Sequence, residues 1–181
     1  IGKNKKVIIE HTSVNPNKAL HVGHLRNVAL GDTLYRILKN TNHDVTVLKY
    51  VDDSGLQVAD ILVGFLYLKL PLKPANSNIK FDIYCGNEIY VKVNELYEKD
   101  PSLIEKRKSL LKKLEEEDSE ITSFASEITT KVLKDQLKTC WRMKARYDLL
   151  NFESHIISTK LWEKKKKNLR DENIVIKETE G

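Results

Sequence analysis

Apolar residues along the chain follow two rhythms. Lys6 to Glu10 (KVIIE) carries three consecutive β-branched residues after a basic turn and predicts a buried strand. Asp44 to Val51 (DVTVLKYV) is β-branched and alternates, which predicts a second strand. Between them Leu20, Leu25, Val28, Ala29, Leu34, Tyr35 and Leu38 recur at helical spacing. A helix is therefore expected from near His21 to Asn40–His43. The segment before it, His11 to Lys18 (HTSVNPNK), is turn-rich, because Asn15-Pro16-Asn17 blocks helical backbone. Asp52-Asp53-Ser54-Gly55 reads as a turn, with Asp53 or Ser54 capping a helix that runs to about Leu70. Strand, loop, helix, strand, helix is a βαβ unit of the kind that binds nucleotides.

The rhythm then changes. Pro71 to Lys80 holds two of the four prolines, lacks periodicity and reads as a boundary. Glu88–Glu98, Pro101–Asp118 and Ser119–Arg146 read as amphipathic helices rich in Lys and Glu. Pro101 suits a first helical position after Asp100, and Ser102 to Glu105 fits a competing capping box. Tyr147–Phe152 returns to strand, Glu153–Leu169 is helical, and Asn173–Lys177 is a final short strand. The expected organisation is a first βαβ part over 1–70, a helical insertion over 71–146 and a return to the α/β core over 147–181.

Composition narrows the class without choosing a function. At 181 residues and 40% hydrophobic content the chain can bury a core. The longest apolar stretch, Ile61 to Leu72, is interrupted by Gly64, Tyr67 and Lys69 and is too short and polar to span a bilayer. No secretory signal pattern is present. Cys85 and Cys140 form no C-x-x-C pair, so neither a disulfide framework nor a zinc ribbon is suggested, and a reduced, cytosolic setting is the simplest reading. Net charge is +5, from 31 Lys+Arg against 26 Asp+Glu, which permits phosphate-bearing partners such as RNA without demonstrating one. Met143 is the sole methionine and the chain opens straight into a strand, so an excerpt of a longer protein is expected.

Candidate chemistry gathers in Glu10 to Asn27 (EHTSVNPNKALHVGHLRN). His21 and His24 lie three apart, on one face of a first helical turn. Free N–H groups and the helix dipole attract phosphate there, and two imidazoles add hydrogen-bond donors. Gly23 leaves room for a flat base, and Lys18 supplies a cation upstream. The reaction suggested is nucleotidyl transfer, a carboxylate attacking the α-phosphate of ATP. A bland reading, two histidines satisfied by caps and solvent, stands beside it. A zinc site is disfavoured, since the spacing lacks the intervening Glu of the metalloprotease motif.

HVGH at His21 to His24 resembles the HIGH motif of class I aminoacyl-tRNA synthetases. The longer EHTSVNPNKALHVGHLRN run, YVDDSGLQVAD at Tyr50–Asp60 and YDLLNFES at Tyr147–Ser154 are similar to arginyl-tRNA synthetases. The resemblance implies an α/β, Rossmann-like (HUP-type) parallel sheet, incomplete, with a largely helical insertion. It implies L-arginine, ATP with its Mg2+ and tRNA(Arg) as substrates, with no metal site in the protein, no bound prosthetic group and no membrane partner. By that likeness His21 and His24 bind the ATP phosphates, and Gly23 lets adenine pack. Glu10 faces the guanidinium of arginine, as a carboxylate suits a planar bidentate cation, while Ser13 and Asn15 hold its α-amino end. Lys18 resembles the family lysine upstream of HIGH that in many members compensates for a missing lysine in the KMSKS loop. Asp52, Asp53 and Gln57 match the motif after the second strand, in substrate contact or in turn formation. A KMSKS-like loop, the second nucleotide-binding half and an anticodon-binding domain have no counterpart here, so the missing C-terminal half is an expected partner and the piece alone is expected to be inactive. Two other readings are a small adenylyltransferase, which shares the H-x-G-H turn, and a non-catalytic tRNA-binding module. Arg26 and Asn27 are read as structural, pairing along the first helix. Lys164–Lys167 is read as a solvated face, and Trp141 and Trp162 as core or interface aromatics.

Overall fold

The computed structural model describes residues 2–114, 119–172 and 174–175. Strand β1 (Lys6–Glu10) pairs in parallel with β2 (Asp44–Val51), from Lys6 opposite Asp44 to Glu10 opposite Leu48. β2 pairs in parallel with β3 (Leu149–Phe152), from Leu48 opposite Leu149 to Val51 opposite Phe152. The sheet order is β1-β2-β3. Alternation along β2 buries Val45, Val47, Lys49 and Val51, so a lysine occupies one inward place in a valine series. Parallel pairing sends the three carboxyl ends to one edge, where ligand crevices of open α/β sheets lie.

Helix α1 (Val22–Asn40) links β1 to β2, its Tyr35 and Leu38 packing on Ile9, Val45 and Val47. Gly31 is buried where this helix meets His11, and a Cβ there would overlap the imidazole carbons. Gly31→Ala is therefore expected to lower the melting temperature: overpacking costs about 1–3 kcal/mol, more than the roughly 1 kcal/mol that alanine gains in helix propensity. Thermal unfolding of both forms checks this, and an unchanged Tm would mean that the His11 ring swings aside freely.

Helix α2 (Leu56–Leu66) is apolar but for Gln57 and Asp60 and is buried from Val58 to Phe65. It stops short of Leu70, because Lys69 turns left-handed at φ 53° and the Leu70 N–H returns to the Gly64 carbonyl. Its N-cap is Gly55; neither Asp53 nor Ser54 caps it, since their side chains bond Ser154 and Glu153, just after β3, instead. After the irregular 71–80 segment, α3 (Phe81–Tyr84), a π-helix (Cys85–Tyr90) and α4 (Val91–Tyr97) form one helical run, which begins earlier than the expected Glu88. α5 (Ser102–Leu114) starts after Pro101; Asp100 Oδ1 accepts from the Ser102 N–H at 3.0 Å, so the Asp100 start prevails over the Ser102 box. α6 (Glu120–Arg142) opens with a Ser119/Thr122 capping box.

Val58, Ile61 and Leu62 share one core with Ile89, Val93, Leu103, Leu110, Ile128 and Val132, so the helices beyond Lys80 pack on α2. Buried Asp60 joins them, accepting from the Tyr97 hydroxyl at 2.5 Å beside Arg107. The expected single helix after β3 is two, α7 (Glu153–Ser158) and α8 (Leu161–Asp171), broken at left-handed Lys160. Ile174 and Val175 bend back to the Leu169 carbonyl rather than forming strand. Asn173, Ile176 and Lys177 of that expected strand, the expected continuation of the Pro101–Asp118 helix past Leu114 and the side chains of Trp162 and Lys164 lie outside the described residues. Among the described residues no helix is long and apolar enough to cross a membrane.

Candidate active site

The loop from β1 into α1 is strained and tightly held. Thr12 and Ser13 have φ of 88° and 47°, a region costly for residues with a Cβ and hardest on a β-branched one. The Tyr147 hydroxyl meets Thr12 Oγ1 at 2.5 Å, and the Tyr147 ring lies 5.0 Å from that of His11. Lys49 Nζ donates to the Val14 carbonyl at 3.1 Å. Burial lowers that ammonium to a pKa of about 8, because no water solvates its charge. Gln136, fully buried on α6, donates from Nε2 to the carbonyls of Asn15 at 2.9 Å and Lys18 at 2.7 Å. Sequence reasoning missed both grips. A lysine at an inward strand position and a glutamine in the apolar stripe of α6 were the available signals.

His21 is the N-cap of α1 and His24 its third residue, with rings stacked 3.8 Å apart. His21 Nδ1 accepts from the Gly23 N–H at 3.1 Å, and His24 Nδ1 accepts from the His21 N–H at 3.3 Å. The caps thus use Nδ1 on each ring, and the neutral tautomer carries its proton on Nε2, free to donate. Burial lowers the His24 pKa below its ordinary 6.5, and the neighbouring His21 ring and the Lys18 and Lys49 ammonium groups act in the same direction. A Cβ on Gly23 would lie 2.9 Å from His21 Cε1 and press on the imidazole folded over the turn. Lys18 Nζ stands 5.4 Å from the centre of the Tyr90 ring.

Glu10 and Ser13 are brought together. Both are exposed and line a cavity of about 300 Å³ with Ile9, Asn27, Leu30 and Leu34, beside the outer edge of β1. Asn27 therefore faces this cavity instead of pairing along α1, where the observed ion pair is Arg36–Asp32. Asn15 does not line it; its Nδ2 donates to Asp52 at 3.0 Å and Gln57 at 3.4 Å, joining the loops after β1 and β2. Burial raises the Asp52 pKa to about 6, aided by the neighbouring Glu153 carboxylate. Glu153 accepts from Tyr50 and from Ser54 at 2.6 Å. Its place at the start of α7, level with the end of β2, was invisible before the strands were paired. Both Asp53 oxygens accept from Ser154, one from its N–H at 2.9 Å and one from its hydroxyl at 2.7 Å, which ties the turn after β2 to the first turn of α7. Trp141 is 44% exposed, outside the core, with the Arg146 guanidinium 5.7 Å over its ring. Both cysteines are free and buried.

The family profile described as tRNA synthetases class I (R), catalytic domain, matches residues 1–181. The chain belongs to the class I arginyl-tRNA synthetase family. It is 42% identical to the arginine–tRNA ligase of Pyrococcus furiosus over 171 residues, covering 91% of this chain and 27% of that protein. Identity to the Thermus thermophilus arginine–tRNA ligase is 38% over 175 residues, covering 97% and 28%. The solved Thermus thermophilus arginyl-tRNA synthetase superposes with a TM-score of 0.75 at 35% identity, over 94% of this chain and 27% of that one. A Plasmodium falciparum arginyl-tRNA synthetase shares the fold at a TM-score of 0.68, 16% identity and coverage of 99% and 29%. The open parallel sheet with helices is thus the Rossmann-like class I synthetase fold, and the chain spans 28% of the length of curated arginyl-tRNA synthetases such as the Thermus protein.

Proposed function

We propose that this chain supplies the ATP- and arginine-binding half of an arginine–tRNA ligase. In the complete protein a carboxylate oxygen of L-arginine attacks the α-phosphorus of ATP. The bond to the bridging oxygen breaks, pyrophosphate leaves with its Mg2+, and arginyl-adenylate remains. The terminal ribose hydroxyl of tRNA(Arg) then takes the arginyl group and AMP departs. The observation that carries this reading is the stacked imidazole pair at the start of α1, whose Nδ1 atoms are spent on the backbone and whose Nε2–H donors remain for phosphate.

Lys18, His21 and His24 contact the phosphates in this scheme, and Gly23 lets adenine approach the turn. Glu10 receives the guanidinium in the cavity it shares with Ser13. Ser13 and Asn15 take the α-amino end, with Gln57 holding Asn15 in place. The Asp52 carboxyl, raised to about 6 by burial and by the neighbouring Glu153, lies beside Asn15, where an approaching cation would favour its charged form. Segment 71–146 acts as the connective insertion between 1–70 and 147–181, the C-terminal half completes the site, and the cytoplasm is its setting.

Pyrophosphate exchange into ATP by the full-length protein tests the assignment. Exchange is expected with arginine and tRNA(Arg), and not with lysine or cysteine. Exchange independent of any amino acid would point to an adenylyltransferase instead.

A further inference from the structure

Lys18 is gripped from three sides by residues more than sixty positions away in sequence. Gly86, in the π-helix, faces it so closely that a Cβ there would stand 2.7 Å from Lys18 Cβ. Tyr90, four residues on and so on the same helical face, sets its ring 5.4 Å from Lys18 Nζ. Gln136 completes the arrangement with its two donations to the Asn15 and Lys18 carbonyls, made from a fully buried position on α6. Buried amide bonds of this kind hold a loop firmly, because breaking one leaves a desolvated polar group behind.

We infer that Tyr90 and Gln136 are positioning residues for Lys18, holding respectively its ammonium and the peptide groups that launch it toward the nucleotide phosphates. The inference rests on the proposed reading of Lys18 as a phosphate contact. A free lysine side chain samples many rotamers, and each must be given up when it meets a phosphate. An aromatic face attracts the ammonium without neutralising it, so the charge is pre-aimed yet available to the anion. A carboxylate in that place would compete with the phosphate; the tyrosine face does not. The π-helix fits this purpose, since single π turns occur where a helix must bring particular side chains to a site.

The test is steady-state pyrophosphate exchange by the full-length protein carrying Lys18→Met, Tyr90→Leu, Tyr90→Phe, Gln136→Met and the Lys18→Met/Tyr90→Leu pair. Tyr90→Leu is expected to lower kcat/KM for ATP about fivefold, with the KM for arginine unchanged and Tyr90→Phe restoring the rate because the π face is kept. In the Lys18→Met background the same Tyr90→Leu change should add nothing. Gln136→Met should lower the ATP parameters in the same direction; if it does not fold, the Tyr90 series decides. Additive losses in the double variant, or an equal rise in the arginine KM, would overturn the positioning role alone. Wild-type exchange by Lys18→Met would overturn it together with the phosphate role of Lys18.

Discussion

His24→Ala is expected to slow adenylate formation about 10²- to 10³-fold, the loss usual for one preorganised donor to developing charge. The ring has two separable duties. Nδ1 closes the capping box on the His21 N–H, which leaves Nε2 as the donor of the neutral ring. His24→Asn keeps an acceptor near the Nδ1 position and loses the outer donor, so it should be as slow as alanine with the helix start preserved. His24→Gln reaches toward the Nε2 position and should recover part of the rate. Burial, with the nearby Lys18 and Lys49 ammonium groups acting in the same direction, keeps the His24 pKa below its ordinary 6.5, so the ring is mostly neutral at pH 7. A folded pKa below the unfolded one makes the neutral ring's contribution to stability fully present at neutral pH. That contribution declines as pH falls below 6.5 and is gone once pH passes the lowered folded pKa, where Nδ1 becomes a donor and the cap breaks. Single-turnover adenylate formation with a Tm for each variant measures both duties. An alanine variant at wild-type rate would remove this turn from the chemistry.

Glu10→Gln should raise the KM for arginine about a hundredfold, two charge-assisted hydrogen bonds being replaced by one neutral contact, and should leave the KM for ATP in place. Glu10 ends β1, lines the cavity with Ser13 and Asn27, and has no ion-pair partner among the described residues. The sharper readout is discrimination. Citrulline, which replaces guanidinium by a neutral urea, should gain on arginine in the glutamine variant, since the carboxylate is what favours the cation. Isothermal titration with both amino acids measures the ratio. A ratio equal to that of the wild type would place guanidinium recognition elsewhere.

How far these residues were legible depends on how local their signals are. β1 and β2 follow the expected bounds because β-branched runs and alternation report directly on burial in a sheet. The start of α1 at His21 was equally readable, since Asn15-Pro16-Asn17 forbids helix before it. The ends of helices were less so. Lys69 and Lys160 break helices by turning left-handed, and a lysine announces no such turn.

The site divides along the same line. By itself the sequence determined the strand–loop–helix that presents Lys18, His21, Gly23 and His24, because a cap, a helix dipole and a short loop act over a few residues. Which side chains meet across the fold was decided only by tertiary structure. Parallel pairing carries Glu153 level with Asp52, across a gap of 101 residues. Packing of α6 and the π-helix on the first loop delivers Gln136 and Tyr90 to Lys18. It also turns Asp53 to Ser154 and Asn27 to the cavity. Hydrogen bonds and ion contacts act over a few ångströms, and residues a hundred positions apart come within that distance only once the sheet and its helices have closed.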